Sequence, residues 1–194
     1  MKKKFYCSIL LLLTMNAYRQ QASTIKFGIK FGAAFAKNKL EFTNNSVPYN
    51  LKTKIGLMAG CYVDFLVNEK MLFQPALLYV RKGAKEQTGY TYSPSLIYNY
   101  LEIPLNILYR SPAKNGRYFF GGGLSPAFRF TNHLYGNELK SFDLGANVLA
   151  GYQFPMGFSI NLGYTYGMLN VSKFKESISK IQNRYFSLPV GYEF

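Results

Sequence analysis

Strict two-residue alternation of bulky apolar with small or polar side chains is the feature that most constrains this sequence. The clearest example runs from Phe158 to Met168, where every second residue is a large aliphatic or aromatic one. Successive side chains of a β-strand point to opposite faces, whereas no helix repeats every two residues. The stretch from Tyr185 to Phe194 has the same period, so both segments are predicted to be strands with one bulky apolar face.

Six more segments follow this pattern, which makes eight predicted strands. They are Ile25 to Phe35, Ile55 to Phe65, Met71 to Lys82, Asn99 to Tyr109, Tyr118 to Phe130 and Phe142 to Phe154. The long connections between strands are Lys37 to Lys54, Ala84 to Tyr98, Thr131 to Lys140 and Val171 to Arg184. The short connections are Asn68 to Lys70, Ser111 to Arg117 and Pro155 to Gly157. Outer-membrane barrels alternate short periplasmic turns with longer extracellular loops. We therefore expect an all-β fold, an eight-stranded antiparallel transmembrane β-barrel with both termini in the periplasm.

The small face of the strands separates a membrane barrel from a soluble one. A strand face in contact with water would carry long polar side chains, whereas this face is rich in glycine, for example at Gly28 and Gly32. The lumen of an eight-stranded barrel is just wide enough to be filled by side chains, so small residues must alternate there with larger ones. The glycine face is therefore predicted to line the lumen, and the apolar face to contact lipid.

The first residues have the pattern of a secretory signal. Lys2, Lys3 and Lys4 precede an apolar stretch from Phe5 to Met15, which is too short to cross a membrane as a helix. We expect residues 1–22 to form a signal peptide, with cleavage somewhere between positions 17 and 24, and residues 23–194 to form the barrel domain. The predicted location is the outer membrane of a Gram-negative bacterium.

Several stretches resemble the PorT-like outer-membrane β-barrel family, the porin-family proteins of Bacteroidetes. They are Phe73 to Lys85, with its Gln-Pro-Ala-Leu-Leu-Tyr run, Tyr100 to Leu105, Phe142 to Lys173 and Asn183 to Phe194. One departure is Ala76, where members of the family often have Glu. The resemblance implies the fold and the location, together with a structural or interaction role that includes accessory work in protein secretion or cell-envelope organisation.

Ionisable residues on the predicted inward face of the strands are expected to form a polar network that plugs the lumen. These residues are Lys26, Lys30, Asp64, Lys82, Glu102, Arg129, Asp143 and Glu193. Both signs of charge are present, and buried charges in a narrow lumen need partners. Glu102 lies mid-strand and is the predicted hub of the network. A narrow pore for small solutes is the alternative.

No catalytic, cofactor-binding or metal-binding residues are predicted, and we do not expect an enzyme. Cys61 is the one cysteine outside the signal segment, so the mature chain has neither a disulfide nor a cysteine-based metal site. The remaining alternative is a membrane-embedded lipid-modifying enzyme, which could use His133 with Glu138 and Ser141.

The formal charge of +14 does not indicate nucleic-acid binding, because the basic residues are not gathered beside base-stacking aromatics. Basic residues instead occur in the predicted outer loops, such as Lys37 and Lys173, where they favour contact with outer-membrane lipids and lipopolysaccharide. The terminal Phe194 is expected to be an assembly signal for the barrel-assembly machinery. Secretion-system or envelope proteins are further expected partners.

Overall fold

The computed structural model describes residues 25–42, 52–85, 95–130, 140–172 and 178–194, so the predicted signal peptide lies outside the described residues. The described residues form β1 (Ile25–Phe42), β2 (Lys52–Leu66), β3 (Met71–Lys85), β4 (Ser95–Glu102), β5 (Leu105–Ala113), β6 (Gly116–Arg129), β7 (Phe142–Gln153), β8 (Phe158–Gly167) and β9 (Ile178–Glu193). This part of the chain has no helix that is long and apolar enough to cross a membrane.

The strands form one closed antiparallel barrel. β1 pairs with β2 on one side and with β9 on the other, which joins the first strand to the last. β4 and β5 both lie between β3 and β6, where they occupy a single position in the wall. The nine strand segments therefore fill eight positions, and the predicted eight-stranded antiparallel barrel is confirmed.

Adjacent strands are staggered. Following directly paired residues once around the wall from Ile25 leads to Phe35, ten residues further along β1. The pairs along this path pass through Phe65, Phe73, Ile107, Gly122, Val148, Tyr164 and Phe186. Such a shear tilts the strands against the barrel axis, as closure of a sheet into a barrel requires.

One predicted strand, Asn99 to Tyr109, is divided between β4 and β5 at Ile103 and Pro104. Pro104 has no N–H group to donate across the wall. The backbone oxygen of Pro104 still accepts from the Ala76 N–H at 3.0 Å, and the Ile103 N–H donates to Pro126 at 2.8 Å. The pairing register therefore continues on both sides of the interruption.

Three predicted loops are shorter than expected because the neighbouring strands extend into them. The predicted loops Lys37 to Lys54 and Val171 to Arg184 are in part wrong, since Lys37 pairs with Arg184 and the ladder continues to Phe42 and Ile178. The predicted loop Ala84 to Tyr98 is in part wrong as well, since β3 and β4 continue into it and Lys85 pairs with Ser95. Apolar alternation ends where lipid contact ends, but strand pairing needs only backbone hydrogen bonds and continues beyond it.

Short connections lie at the end of the barrel that carries Ile25 and Phe194. The predicted turn Ser111 to Arg117 contracts to Lys114 and Asn115 between β5 and β6. In the β2–β3 turn the Asn68 side chain accepts from the backbone N–H groups of Lys70 and Met71 at 3.0 and 2.9 Å. This order agrees with short turns on the periplasmic side.

The outer surface of the barrel is apolar. Phe31 and Leu162 are each 59% exposed and Val148 is 62% exposed, a degree of apolar exposure that suits lipid and not water. Two bands of aromatic rings flank this surface. At the end that carries Ile25 and Phe194 the rings are Tyr109, Tyr118, Phe120, Tyr152, Phe154, Phe158, Tyr192 and Phe194, and near the opposite end they are Tyr79, Phe128, Phe130, Phe142, Tyr164 and Phe186. Aromatic girdles of this kind mark the two interfaces of an outer-membrane barrel.

Glycines of the inner face make room for large rings. Gly28 pairs with Tyr62, and Gly151 pairs with Phe119. A Cβ atom on either glycine would overlap the ring opposite it. The lumen is thus filled by aromatic side chains that lie over glycine backbone.

Candidate functional site in the barrel lumen

Charged side chains and the Gln74 amide meet inside the barrel at the end that carries Ile25 and Phe194. We call this group the lower cluster: Lys26, Lys30, Asp64, Gln74, Arg110 and Glu193. Arg110 Nη2 lies 3.0 Å from Asp64 Oδ2 and 3.6 Å from Glu193 Oε2. The other oxygen of Glu193 lies 2.5 Å from Lys26 Nζ. Arg110 therefore bridges two carboxylates contributed by β2 and β9.

A hydrogen-bonded chain connects side chains of the three neighbouring strands β1, β2 and β3 within this cluster. Lys30 Nζ donates to Gln74 Oε1 at 2.6 Å, and Gln74 Nε2 donates to Asp64 Oδ1 at 2.7 Å. The Lys30 ammonium also lies 4.6 Å from the centre of the Tyr62 ring. Both oxygens of Asp64 are thus occupied, which offsets the cost of burying its charge.

A second group, the upper cluster, lies towards the long connections: Lys82, Tyr100, Glu102, Ser125, Asp143, Asn183 and Tyr185. Lys82 and Glu102 form an ion pair in which both side chains are almost fully buried. Glu102 Oε2 accepts from the hydroxyl groups of Tyr185 at 2.5 Å and Ser125 at 3.3 Å. Lys82 Nζ lies 4.7 Å from the Tyr100 ring centre and 4.8 Å from that of Tyr185.

Asp143 belongs to the same cluster through Asn183. The Asn183 amide donates to Asp143 Oδ2 at 2.8 Å and to the Tyr100 hydroxyl at 3.3 Å. Arg129 lies beside this group, with its guanidinium carbon 5.7 Å from the centre of the Tyr98 ring. Aromatic hydroxyls and rings therefore surround the charges of the upper cluster.

Neutral amides separate the two clusters. Asn106 lies between Glu102 and Arg110 along the chain, and its side-chain oxygen accepts from Asn147 at 2.7 Å. Asn161 donates to the backbone oxygen of Pro189 at 3.2 Å, and Pro189 itself has no N–H to donate to the ladder. A cavity of about 50 Å³ lies at this level. Charge is thus concentrated at the two ends of the lumen, where the surrounding aromatic girdles also lie.

All eight residues of the predicted network lie on the inward register of their strands. Lys26, Lys30, Asp64 and Glu193 lie in the lower cluster, Lys82, Glu102 and Asp143 lie in the upper cluster, and Arg129 lies beside it. They do not form one network around Glu102 but two groups. Phe194 lies on the outward register, and its backbone N–H donates to Phe27 at 2.8 Å.

Arg110 is the main residue that the sequence reasoning missed. The predicted strand ends at Tyr109, four residues before the end of β5 at Ala113, and so leaves out Arg110, which has the same parity as Glu102 and faces the lumen. Gln74, Asn183 and Tyr185 were missed because only ionisable carboxylates and basic groups were selected. Their contacts with charged residues depend on the register between strands, which the structure provides and the sequence does not.

The described residues contain no group of three His, Cys, Asp or Glu side chains that could hold a metal ion. Of the three residues considered for lipid chemistry, Ser141 is exposed just before the start of β7 and beside the end of β6, and His133 and Glu138 lie outside the described residues. The residues of the lower and upper clusters form buried ion pairs and hydrogen bonds, which fill the lumen and connect the strands of its wall.

The sequence matches the family described as outer membrane protein beta-barrel domain over residues 18–173. The chain belongs to that family. The protein is therefore located in the outer membrane, which confirms the predicted location. No curated protein sequence matches it.

Solved outer-membrane proteins share the fold at low sequence identity. OprG from Pseudomonas aeruginosa is 13% identical with a TM-score of 0.54, and the match covers 87% of this chain and 95% of OprG. Neisserial surface protein A is 17% identical with a TM-score of 0.50, over 90% of this chain and all 100% of that one. The outer membrane enzyme PagL is 11% identical with a TM-score of 0.50, over 84% of this chain and 98% of its own.

Proposed function

We propose that this outer-membrane barrel is closed to solutes and has a structural or interaction role in the cell envelope. The observation that carries the proposal is the buried Lys82–Glu102 pair on the adjacent strands β3 and β4, with Glu102 0% and Lys82 3% exposed, which the Tyr185 hydroxyl of β9 on the opposite wall joins through Glu102. A conducting lumen would keep such charges in contact with water. An eight-stranded barrel has room for little beyond its own side chains.

The resemblance to the PorT-like family supports a more specific role, as an accessory to protein secretion or to cell-envelope organisation. The PorT-like assignment and a Bacteroidetes source remain predictions. We further propose that Phe194 is read by the barrel-assembly machinery, which its position at the end of β9 supports. Contact of basic outer residues such as Lys37 with lipopolysaccharide phosphates belongs to the same proposal.

Conductance across a planar lipid bilayer tests closure directly. We expect little or no current from the purified barrel at ordinary salt concentration, because both charged clusters block the path. A matched preparation of a wide porin serves as the positive control for insertion. Stable, large single-channel steps from this protein would contradict closure.

Cross-linking in intact cells tests the interaction role. A photoreactive residue at Lys140, which is exposed at the rim near the long connections, is expected to capture the same few envelope proteins repeatedly. The same residue placed at Lys70 in the β2–β3 turn reports the periplasmic side and serves as the matched control. Recovery of only lipid from both positions would argue against a protein partner.

Two alternatives have their own supporting observations. The neutral middle of the lumen, with its cavity of about 50 Å³, favours a narrow pore for small solutes. The shared fold with an outer membrane enzyme keeps a lipid-modifying activity as the other alternative. If the barrel is such an enzyme, Ser141→Ala should change the lipid composition of the outer membrane, whereas the interaction role predicts no change.

A further inference from the structure

Two cations face each other on the outer wall of the barrel, near the long connections. Lys37 of β1 and Arg184 of β9 are directly paired in the ladder between these strands. Both lie on the outward register, because Phe35 and Phe186, two residues closer to the middle of the barrel, are directly paired on the lipid-facing surface. The Lys37 side chain is exposed and the Arg184 side chain is half-buried.

This cation pair is unfavourable unless an anion joins it. Like charges at directly opposite positions of neighbouring strands repel each other and lower stability. Among the side chains that the structure describes, no carboxylate lies on this part of the outer wall. The acidic ones are buried in the lumen or lie in the periplasmic β2–β3 turn: Asp64, Glu102, Asp143 and Glu193 in the lumen, and Glu69 in the turn. An anion from outside the protein can therefore offset both positive charges.

An aromatic ring positions the Arg184 guanidinium. Its carbon atom Cζ lies 4.5 Å from the centre of the Tyr166 ring, and Tyr166 of β8 is the residue directly paired with Arg184 on that side. This contact is not a hydrogen bond, so the terminal N–H groups of Arg184 can still donate to oxygen atoms. A positioned guanidinium presents a fork of donors that matches the oxygen atoms of a phosphate group.

The pair lies at the level of the outer lipid headgroups. The Phe186 ring packs against Tyr164 at a centroid distance of 4.7 Å, and both belong to the aromatic girdle at this end of the barrel. Such girdles mark the boundary between the hydrocarbon and the headgroups. Lys37 lies two residues beyond Phe35, or about 7 Å further out along β1. Lys37 and Arg184 are therefore just outside the hydrocarbon, where lipid phosphates occur.

We propose that Lys37 and Arg184 together bind a phosphate group of lipid A, the membrane anchor of lipopolysaccharide, with its acyl chains against Phe186 and Leu188. Leu188 is 50% exposed and continues the lipid-facing surface below the cations. A phosphate monoester carries more than one negative charge and several acceptor oxygens, so a single group can accept from both side chains. The site rests on the proposed contact with lipopolysaccharide and does not depend on whether the lumen is closed.

Native mass spectrometry of the folded barrel in detergent tests the site. The protein is titrated with lipid A and, in parallel, with the same lipid after removal of its phosphate groups. We expect retention of the phosphorylated form in preference to the other. Lys37→Gln and Arg184→Gln should each weaken binding of the phosphorylated form by about fivefold. Lys37→Arg keeps the charge and should bind as the unmodified protein does.

Arg81→Gln is the matched control, because Arg81 is an exposed, outward-facing cation of β3 whose directly paired residue on β4 is the neutral Asn99. Its lipid A binding should stay close to that of the unmodified protein. Equal retention of the two lipids, or an equal loss in Arg81→Gln, would overturn the proposal. Displacement of lipid A by inorganic phosphate would assign the cations to free phosphate and would also overturn it.

Two further outcomes separate this site from the wider proposal. Lipid A binding that is the same in Lys37→Gln, Arg184→Gln and the unmodified protein would refute the site and leave the general contact with lipopolysaccharide standing. Absence of lipid A binding by the unmodified protein would refute both.

Stability provides a second measurement, in which the repulsion and the lipid contact have opposite effects. Lys37→Glu replaces the repelling pair by an ion pair with Arg184. We expect this variant to unfold at a higher urea concentration than the unmodified barrel in phosphatidylcholine vesicles. Addition of lipid A should stabilise the unmodified barrel and stabilise Lys37→Glu much less. A lower unfolding midpoint for Lys37→Glu in both kinds of vesicle would show a purely structural role of Lys37 and would contradict the proposal.

Discussion

At the scale of single residues, the lumen depends on charges that have little access to water. Lys82 and Glu102 are held by each other, by the Tyr185 hydroxyl and by ring contacts from Tyr100. Loss of one member of a buried ion pair leaves the other charge buried without compensation, which costs more than loss of both. This asymmetry makes the pair a direct test of the upper cluster.

We predict that Glu102→Ala lowers the free energy of unfolding by about 3–5 kcal/mol, because Lys82 remains buried and unpaired. Lys82→Ala should have a similar effect, and the double variant should lose less than the sum of the two single variants. Urea unfolding of the barrel in lipid vesicles, followed by circular dichroism, measures these energies. Glu69→Ala, in the exposed β2–β3 turn, is the control and should have almost no effect. Additive losses would show that the two side chains do not interact.

The glycine opposite Tyr62 allows a second test. Gly28→Ala places a methyl group inside the Tyr62 ring, and we expect a loss of about 1–3 kcal/mol in the same unfolding measurement. Tyr62→Ala in the Gly28→Ala background should recover part of that loss by removing the overlap. Gly163→Ala is a matched control, since the nearest side-chain atom there is Ser187 Oγ, which can rotate away. Equal effects at Gly28 and Gly163 would argue against the filled lumen.

At the scale of elements, alternation predicted the strands well where one face contacts lipid. The predicted segment Phe158 to Met168 and the observed β8 (Phe158–Gly167) differ by one residue, because almost every outward side chain there is bulky and apolar. The same signal placed the charged residues of the lumen on the inner face. Apolar alternation could not predict that Lys37 to Phe42 belong to a strand. These residues lie outside the lipid-contacting part of the wall, where outward side chains need not be apolar.

Specific partners inside the lumen were beyond the reach of the sequence. Lys26 and Glu193 are separated by 167 positions in the chain and meet because the barrel closes between β1 and β9. Their contact depends on strand register and shear, which single-strand alternation does not determine. The predicted network was for this reason centred on Glu102 alone, whereas Arg110 joins a separate group around Asp64.

Neighbouring residues of β8 test which face meets lipid. Leu162→Phe should be tolerated because lipid accommodates a larger apolar group, whereas Leu162→Arg should cost about 2–4 kcal/mol near the bilayer centre. Asn161 is only 3% exposed, so Asn161→Phe should overfill the lumen and cost about 1–3 kcal/mol. Unfolding in vesicles again measures the three energies. Tolerance of Asn161→Phe together with loss at Leu162→Phe would reverse the two faces.

At the scale of the whole molecule, the lower and upper clusters close the lumen in series. The path between them passes the neutral amides of Asn106 and Asn147 and the cavity of about 50 Å³. Ions that pass one cluster must still pass the other. Obstruction of the lumen to ions therefore does not depend on either cluster alone.

We predict that Glu102→Ala and Arg110→Ala each leave the bilayer conductance close to that of the unmodified barrel. The double variant is expected to conduct small ions, because a contact between opposite walls is then missing at each level, Tyr185–Glu102 in the upper cluster and Arg110–Glu193 in the lower one. Glu69→Ala combined with Lys70→Ala, both in the exposed β2–β3 turn, is the control for two charge removals outside the lumen. A clear current from Glu102→Ala by itself would mean that the lower cluster does not obstruct the path.

The ladder between β1 and β9 also bears on how the barrel is made. It joins the first and last strands of the described chain, with Gly28 opposite Glu193 and Phe42 opposite Ile178. Pairs so distant in sequence can form only after nearly the whole chain is available, and topologies rich in them fold slowly. Until then β1 and β8 each present an unpaired edge that can template association with other chains. Survival of the newly exported chain thus requires that these two edges be shielded until β9 arrives between them.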